Sequence, residues 1–141
     1  MGGAKRLALV AVAAALLAGC GSESTLTASE LINRINAQGV SILLRQRLAA
    51  GGEAKELYAV RMPPLRGEPK PAPGSEARPG ASGSLYVFGD TGGAEDQVKA
   101  CQAATGLFCF RAQNIVVVLD EESSRLEAQR LAAAVRRLPA E

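Results

Sequence analysis

Three cysteines and no histidine set the chemistry open to this chain. A thiolate is a nucleophile and a soft metal ligand. Without imidazole, however, there is no Ser-His-Asp or Cys-His couple and no His-ligated metal centre. The thiols fall into two settings. Cys20 closes an apolar run near the start, whereas Cys101 and Cys109 stand together in the second half with seven residues between them. An even pair in an exported domain reads as a disulfide. Exchange-active pairs are usually spaced Cys-x-x-Cys at the start of a helix, where the thiolate is stabilised. Here the spacing is wider and Cys101 falls late in an expected helix. A structural bond is therefore expected, with thiol–disulfide exchange through Cys101 and Cys109 as the alternative. Closing this loop would stabilise the fold by roughly 2.5 kcal/mol on the chain-entropy model.

Two acidic groupings also invite chemistry. Asp90-Thr91-Gly92 matches the triplet of aspartic proteases, but those enzymes need two carboxylates facing each other. They also follow the triplet with β structure, where Gly93 to Thr105 here reads as a helix. A cap from Asp90 or Thr91 is the expected role. Asp120-Glu121-Glu122 offers carboxylate oxygens to a hard cation, yet it lacks the alternating spacing of a calcium loop. Acids just ahead of a helix suit the positive end of its dipole. The paired glycines fit no nucleotide fingerprint. No catalytic residue, cofactor or metal site is expected.

The formal charge is +2, and Lys5 and Arg6 account for it, leaving 14 groups of each sign from Cys20 onward. That balance, with no long basic run, argues against nucleic acid as a partner. Lys5 and Arg6 precede an uninterrupted apolar stretch from Leu7 to Leu17, the charged and apolar regions of an export signal. The run ends at Gly19, short of the roughly 20 residues a spanning helix needs. The four residues at its end, Leu17-Ala18-Gly19-Cys20, resemble the lipobox of bacterial lipoproteins at every position. The resemblance implies that residues 1–19 are a signal peptide, that cleavage falls before Cys20, and that the Cys20 thiol carries a diacylglyceryl group. Such a protein would be held by membrane lipid at the extracytoplasmic face of the cell membrane. Residues 20–25 would form a lipidated tether reaching roughly 20 Å at most.

The elements that must carry these residues follow from periodicity. Thr27 fits an N-cap and Glu30 the N3 position of a capping box, with Leu26 and Leu31 as a hydrophobic staple. Leu31, Ile32 and Ile35 form that helix's buried stripe, and Gly39 is placed to end it. Val40 to Arg47 fits either period; a strand is favoured, given the β-branched start after glycine. Leu57 to Met62 is a strand with Tyr58, Val60 and Met62 on one face. The segment 63–83, holding six of the seven prolines, reads as a disordered, solvated loop. Leu85 to Gly89 is a strand, Asp90 to Gly93 a turn, and a helix follows with Ala94, Val98, Cys101 and Thr105 on one face. Leu107 to Arg111 and Asn114 to Asp120 are strands, the second apolar enough to be central in a sheet. Ser124 and Glu127 suggest a second capping box, and Ala128, Leu131, Val135 and Leu138 stripe the last helix.

This order predicts a single α+β domain over 26–141: a two-layer sandwich, mostly antiparallel, with the helices on one face. The layout from Gly83 to the terminal helix is similar to that of small uncharacterised actinobacterial envelope lipoproteins, which implies envelope location and no assigned activity. The expectation is a membrane-anchored, non-enzymatic binding or interaction module, with membrane lipid through Cys20 and an envelope protein as its partners.

Overall fold

The computed structural model describes residues 25–64, 73–74, 80–120, 123 and 125–139. The expected signal peptide, Cys20, most of the tether, Glu121, Glu122, Ser124 and most of the proline-rich segment lie outside the described residues. The elements run α1 (Ala28–Asn36), β1 (Leu43–Leu48), β2 (Glu56–Met62), β3 (Ala81–Val87), α2 (Thr91–Ala103), β4 (Phe108–Ala112), β5 (Ile115–Leu119) and α3 (Arg125–Arg136). They build an α+β fold on a five-stranded antiparallel sheet of order β1-β2-β3-β5-β4. Because β5 lies antiparallel between β3 and β4, those two strands run the same way, and α2 carries the chain across from one to the other.

Helix α1 starts as its sequence dictates. The Thr27 hydroxyl accepts from Glu30 N at 3.2 Å, and the Glu30 carboxylate accepts from Thr27 N at 2.8 Å. Leu31, Ile32 and Ile35 are buried. Between α1 and β1, Asn36 brackets Ile42. Its Oδ1 accepts from Ile42 N at 2.8 Å and its Nδ2 donates to Ile42 O at 3.1 Å. This pairing supplies the backbone partners that Ile42 lacks outside the sheet. The strand begins only at Leu43, and its pairing with β2 is interrupted between Leu44 and Arg47.

At β5 the sheet is buried on both faces, and the helices divide between them. Along β5, Ile115, Val117 and Leu119 join one core with α1 and α3; Val116 and Val118 join a second core with Ala94 and Cys101 of α2. The expectation that all three helices cover one face is corrected accordingly: α2 lies on the face opposite α1 and α3. The physical reason is the uninterrupted apolar run of β5. A strand apolar on both sides needs cover on both sides.

Two boundaries also differ from expectation. β3 begins at Ala81, inside the segment read as loop, with Ala81 opposite Met62 and Gly83 opposite Val60. Its small residues mislead because they serve a close approach: a Cβ on Gly83 would strike the Val118 carbonyl oxygen of the neighbouring strand. Asn114, expected in a strand, lies instead in the two-residue turn between Ala112 and Ile115, after Gln113 at φ 53°.

Candidate functional site

Cys101 and Cys109 form a disulfide with their Cα atoms 6.2 Å apart. It joins the last turns of α2 to the edge strand β4. Cys101 is buried in the second core and Cys109 is half-buried against it. The bond also compensates for a weak apolar face. In α2 only Ala94 and Cys101 are fully buried, with Val98 partly so.

The Asp90-Thr91-Gly92 triplet forms the start of α2. Asp90 is the N-cap, and its side chain accepts from Gly93 N at 2.8 Å. Gly92 and Gly93 therefore belong to the first helical turn rather than to a loop. A Cβ on Gly93 would press on the Phe88 ring. Asp120 sits past the end of β5, and its backbone N–H donates to Ser82 O at 2.8 Å. Among the described residues no group of three or more His, Cys, Asp or Glu side chains could hold a metal ion. No helix among them is long and apolar enough to cross a membrane.

The most elaborated polar feature is one the sequence reading missed. Asn114 is 2% exposed and joins three parts of the chain. Its Oδ1 accepts from Leu26 N at 2.7 Å, while Nδ2 donates to Leu26 O at 3.1 Å and to Phe88 O at 3.0 Å. This pair of hydrogen bonds to one residue's backbone fixes the amide orientation, since only oxygen can accept from Leu26 N–H. The turn itself is tied down as well, because Phe88 N donates to Asn114 O at 2.9 Å. The point where the N-terminal segment enters the fold is thus clamped to the β4–β5 turn and to the end of β3. An asparagine immediately ahead of a run of β-branched residues was the only available signal.

Around that point the chain gathers arginines beside apolar side chains. Helices α1 and α3 run antiparallel, with Gln38 Nε2 donating to Ala134 O at 3.0 Å and Arg130 reaching Gly39 O at 3.4 Å. The C-terminal end of α3 also lies beside Leu26, with which Val135 and Leu138 line one groove. Two shallow grooves share Leu138 and Pro139: one is also lined by Leu26, Arg111, Gln113 and Val135, the other by Arg34, Gln38 and Arg137. Arg111 is loosely paired with Glu95 at 3.8 Å. Such exposed pairs hold their partners weakly.

The acidity of Glu30 is clearly altered. The Thr27 backbone N–H holds its carboxyl below the usual carboxylate range, and the Thr27 hydroxyl adds to this. That is the electrostatic counterpart of the capping box, not a sign of catalysis. Comparison of the chain with family models, with curated proteins and with solved structures gives no match.

Proposed function

We propose that this chain is an exported lipoprotein whose α+β domain serves as a non-catalytic binding module, held at the extracytoplasmic membrane face by lipid on Cys20. The observation that carries the reading is the order of three features in the first twenty residues: the Lys5-Arg6 charges, the apolar run from Leu7, and Leu17-Ala18-Gly19-Cys20 at its end. Two acyl chains on one thiol anchor stably where a single chain does not. The Cys101–Cys109 disulfide supports it from a separate direction, since such bonds persist in oxidising compartments outside the cytosol.

Intact-mass measurement of the protein extracted from its native membranes tests the proposal. The expected mass is that of a chain beginning at Cys20 and carrying a diacylglyceryl thioether. An unmodified chain still bearing residues 1–19 overturns it. Cross-linking in intact cells, followed by pull-down, then identifies the envelope protein that the module binds.

A second reading, thiol–disulfide exchange, draws on the half-buried state of Cys109 on an edge strand, where an incoming thiolate could reach its sulfur. The reduction potential separates the two. A value below about −300 mV marks a structural bond, whereas one between roughly −270 and −120 mV is that of an oxidoreductase.

A further inference from the structure

We propose that the end of the domain around Leu26, Leu138 and Pro139 lies against an anionic lipid surface, with Arg34, Arg111 and Arg137 turned to the headgroup phosphates. The proposal rests on the anchoring of Cys20 proposed above.

Its first support is where the outside chain joins the fold. Leu26 is fixed to the body of the domain by its two hydrogen bonds with Asn114. The stretch from Cys20 to Leu26 spans roughly 20 Å at full extension. At the same end lie the β4–β5 turn, the end of β3 at Phe88, the start of α2 and the end of α3. The opposite end, with Ala81, Met62 and Asp120, is one full strand away. Across β3 that is about 20 Å, at roughly 3.3 Å per residue. Turning the far end to the bilayer would consume the whole tether along the flank of the sheet. Only with the Leu26 end down does the tether have slack.

The second support is charge. Arg34 and Arg137 line one groove and Arg111 the other, and the two grooves meet at Leu138 and Pro139. Arg136, on the last turn of α3, is exposed nearby. Guanidinium groups pair bidentately with phosphate oxygens. The apolar pair between them suits the boundary between headgroup and acyl chain. No acidic side chain lines either groove. Of the acids elsewhere at this end, Glu30 is bonded to Thr27, Asp90 caps α2, Glu56 pairs with Arg47 and Glu95 with Arg111 at the surface, and Glu53 and Asp96 line a separate groove with Phe88 and Gly93. A phosphate can replace Glu95 at little cost. The arginines of the two grooves therefore sit beside the tether's point of attachment, where a negative leaflet would meet them.

The test is amide hydrogen exchange on the intact lipoprotein reconstituted into two kinds of vesicle, pure phosphatidylcholine and phosphatidylglycerol-rich. Amides of residues 111–115 and 134–138 should exchange at least tenfold more slowly on phosphatidylglycerol, and high salt should reverse the protection. Arg34→Gln, Arg111→Gln and Arg137→Gln should each weaken docking about fivefold, the effect of one basic residue near an anionic surface. Equal exchange on both vesicles, with acylation verified by intact mass, overturns this inference and leaves the anchoring reading standing. An unacylated mass removes the anchoring reading, and this inference with it. Protection that persists in detergent and grows with protein concentration means a second copy covers the surface, which also overturns it. The salt titration keeps the test decisive should a substituted chain fold poorly.

Discussion

Replacing Asn114 tests whether one buried side chain holds the entry of the chain to the rest of the domain. Asn114→Ala removes the partner of Leu26 N–H, at 2.7 Å, and of the Leu26 and Phe88 carbonyls, at 3.1 and 3.0 Å. Leu26 and Phe88 are each 5% exposed, so these groups cannot turn freely to water. A buried polar group stripped of its partner costs about 1–3 kcal/mol. With three groups affected at the low end of that range, the loss is about 3 kcal/mol. That is a large share of the 5–15 kcal/mol roughly typical of a domain. In urea, with a slope of about 1.5 kcal/mol per molar, the unfolding midpoint should fall by about 2 M with its slope unchanged. Asn114→Asp is the sharper variant. It keeps the shape and the acceptor but replaces the amide donor with a charge facing two carbonyl oxygens. Its midpoint at neutral pH should fall at least as far as that of the alanine variant, and it should recover partly in acid as the carboxyl regains a proton to donate. A midpoint shift under about 0.5 M for the alanine variant would refute the reasoning. The three bonds would then be exchanged for water without loss.

Four further outcomes follow from particular contacts. Reducing the Cys101–Cys109 bond should lower unfolding stability by roughly 2.5 kcal/mol, read as a midpoint shift between oxidised and reduced protein, with α2 amides losing protection first. Glu30 is lowered from an ordinary value of 4.5 by Thr27. Its contribution is therefore present above that pH and lost as pH falls through the lowered value, and Glu30→Gln should flatten the pH profile of α1 helicity there. Gly83→Ala should abolish ordered pairing of β3 with β5, because its new carbon meets the Val118 carbonyl; loss of slow-exchanging amides in both strands checks this. Leu131→Ala, at a fully buried site between α3 and the sheet, should cost about 2–5 kcal/mol by the same urea measurement.

The order of the elements was legible in the sequence because each carries a local signature. The Thr27–Glu30 box, the alternation of Tyr58, Val60 and Met62, and the apolar run of β5 each express a period or a cap that chain-local physics dictates. What could not be read were features set by neighbours distant in sequence. Ala81 to Gly83 looks like loop because its residues are small, and they are small because β5 lies against them. Asn114 looks like the start of a strand. Its partners, Leu26 and Phe88, are 88 and 26 residues away, so nothing beside it in the chain foretells its role. The division of helices between faces was available in principle. Val116 and Val118 are as apolar as Val117, and a strand lacking a polar side announces two cores. The disulfide pairing followed from parity, whereas the arginine grouping at Leu138 and Pro139 depends on the antiparallel docking of α1 with α3.

The second core explains why this domain needs a covalent link at all. α1 and α3 bring leucines and isoleucines to the first core, which can hold them by burial alone. α2 has no leucine or isoleucine to offer, and it carries two glycines in its first turn, where helix propensity is poor. Ala94, Val98 and Cys101 are the α2 residues that pack with Phe88, Val116 and Val118. Burial at about 25 cal/mol per Å² scales with area, so a helix whose fully buried residues are Ala94 and Cys101 gains little to offset its ordering entropy. The disulfide shifts that balance by removing freedom from the unfolded chain instead of adding contacts to the folded one. Small domains adopt such staples when the core is thin. The cover on one face of β5 is thus strengthened by oxidation. A chain built this way gains that stability only where its thiols are oxidised.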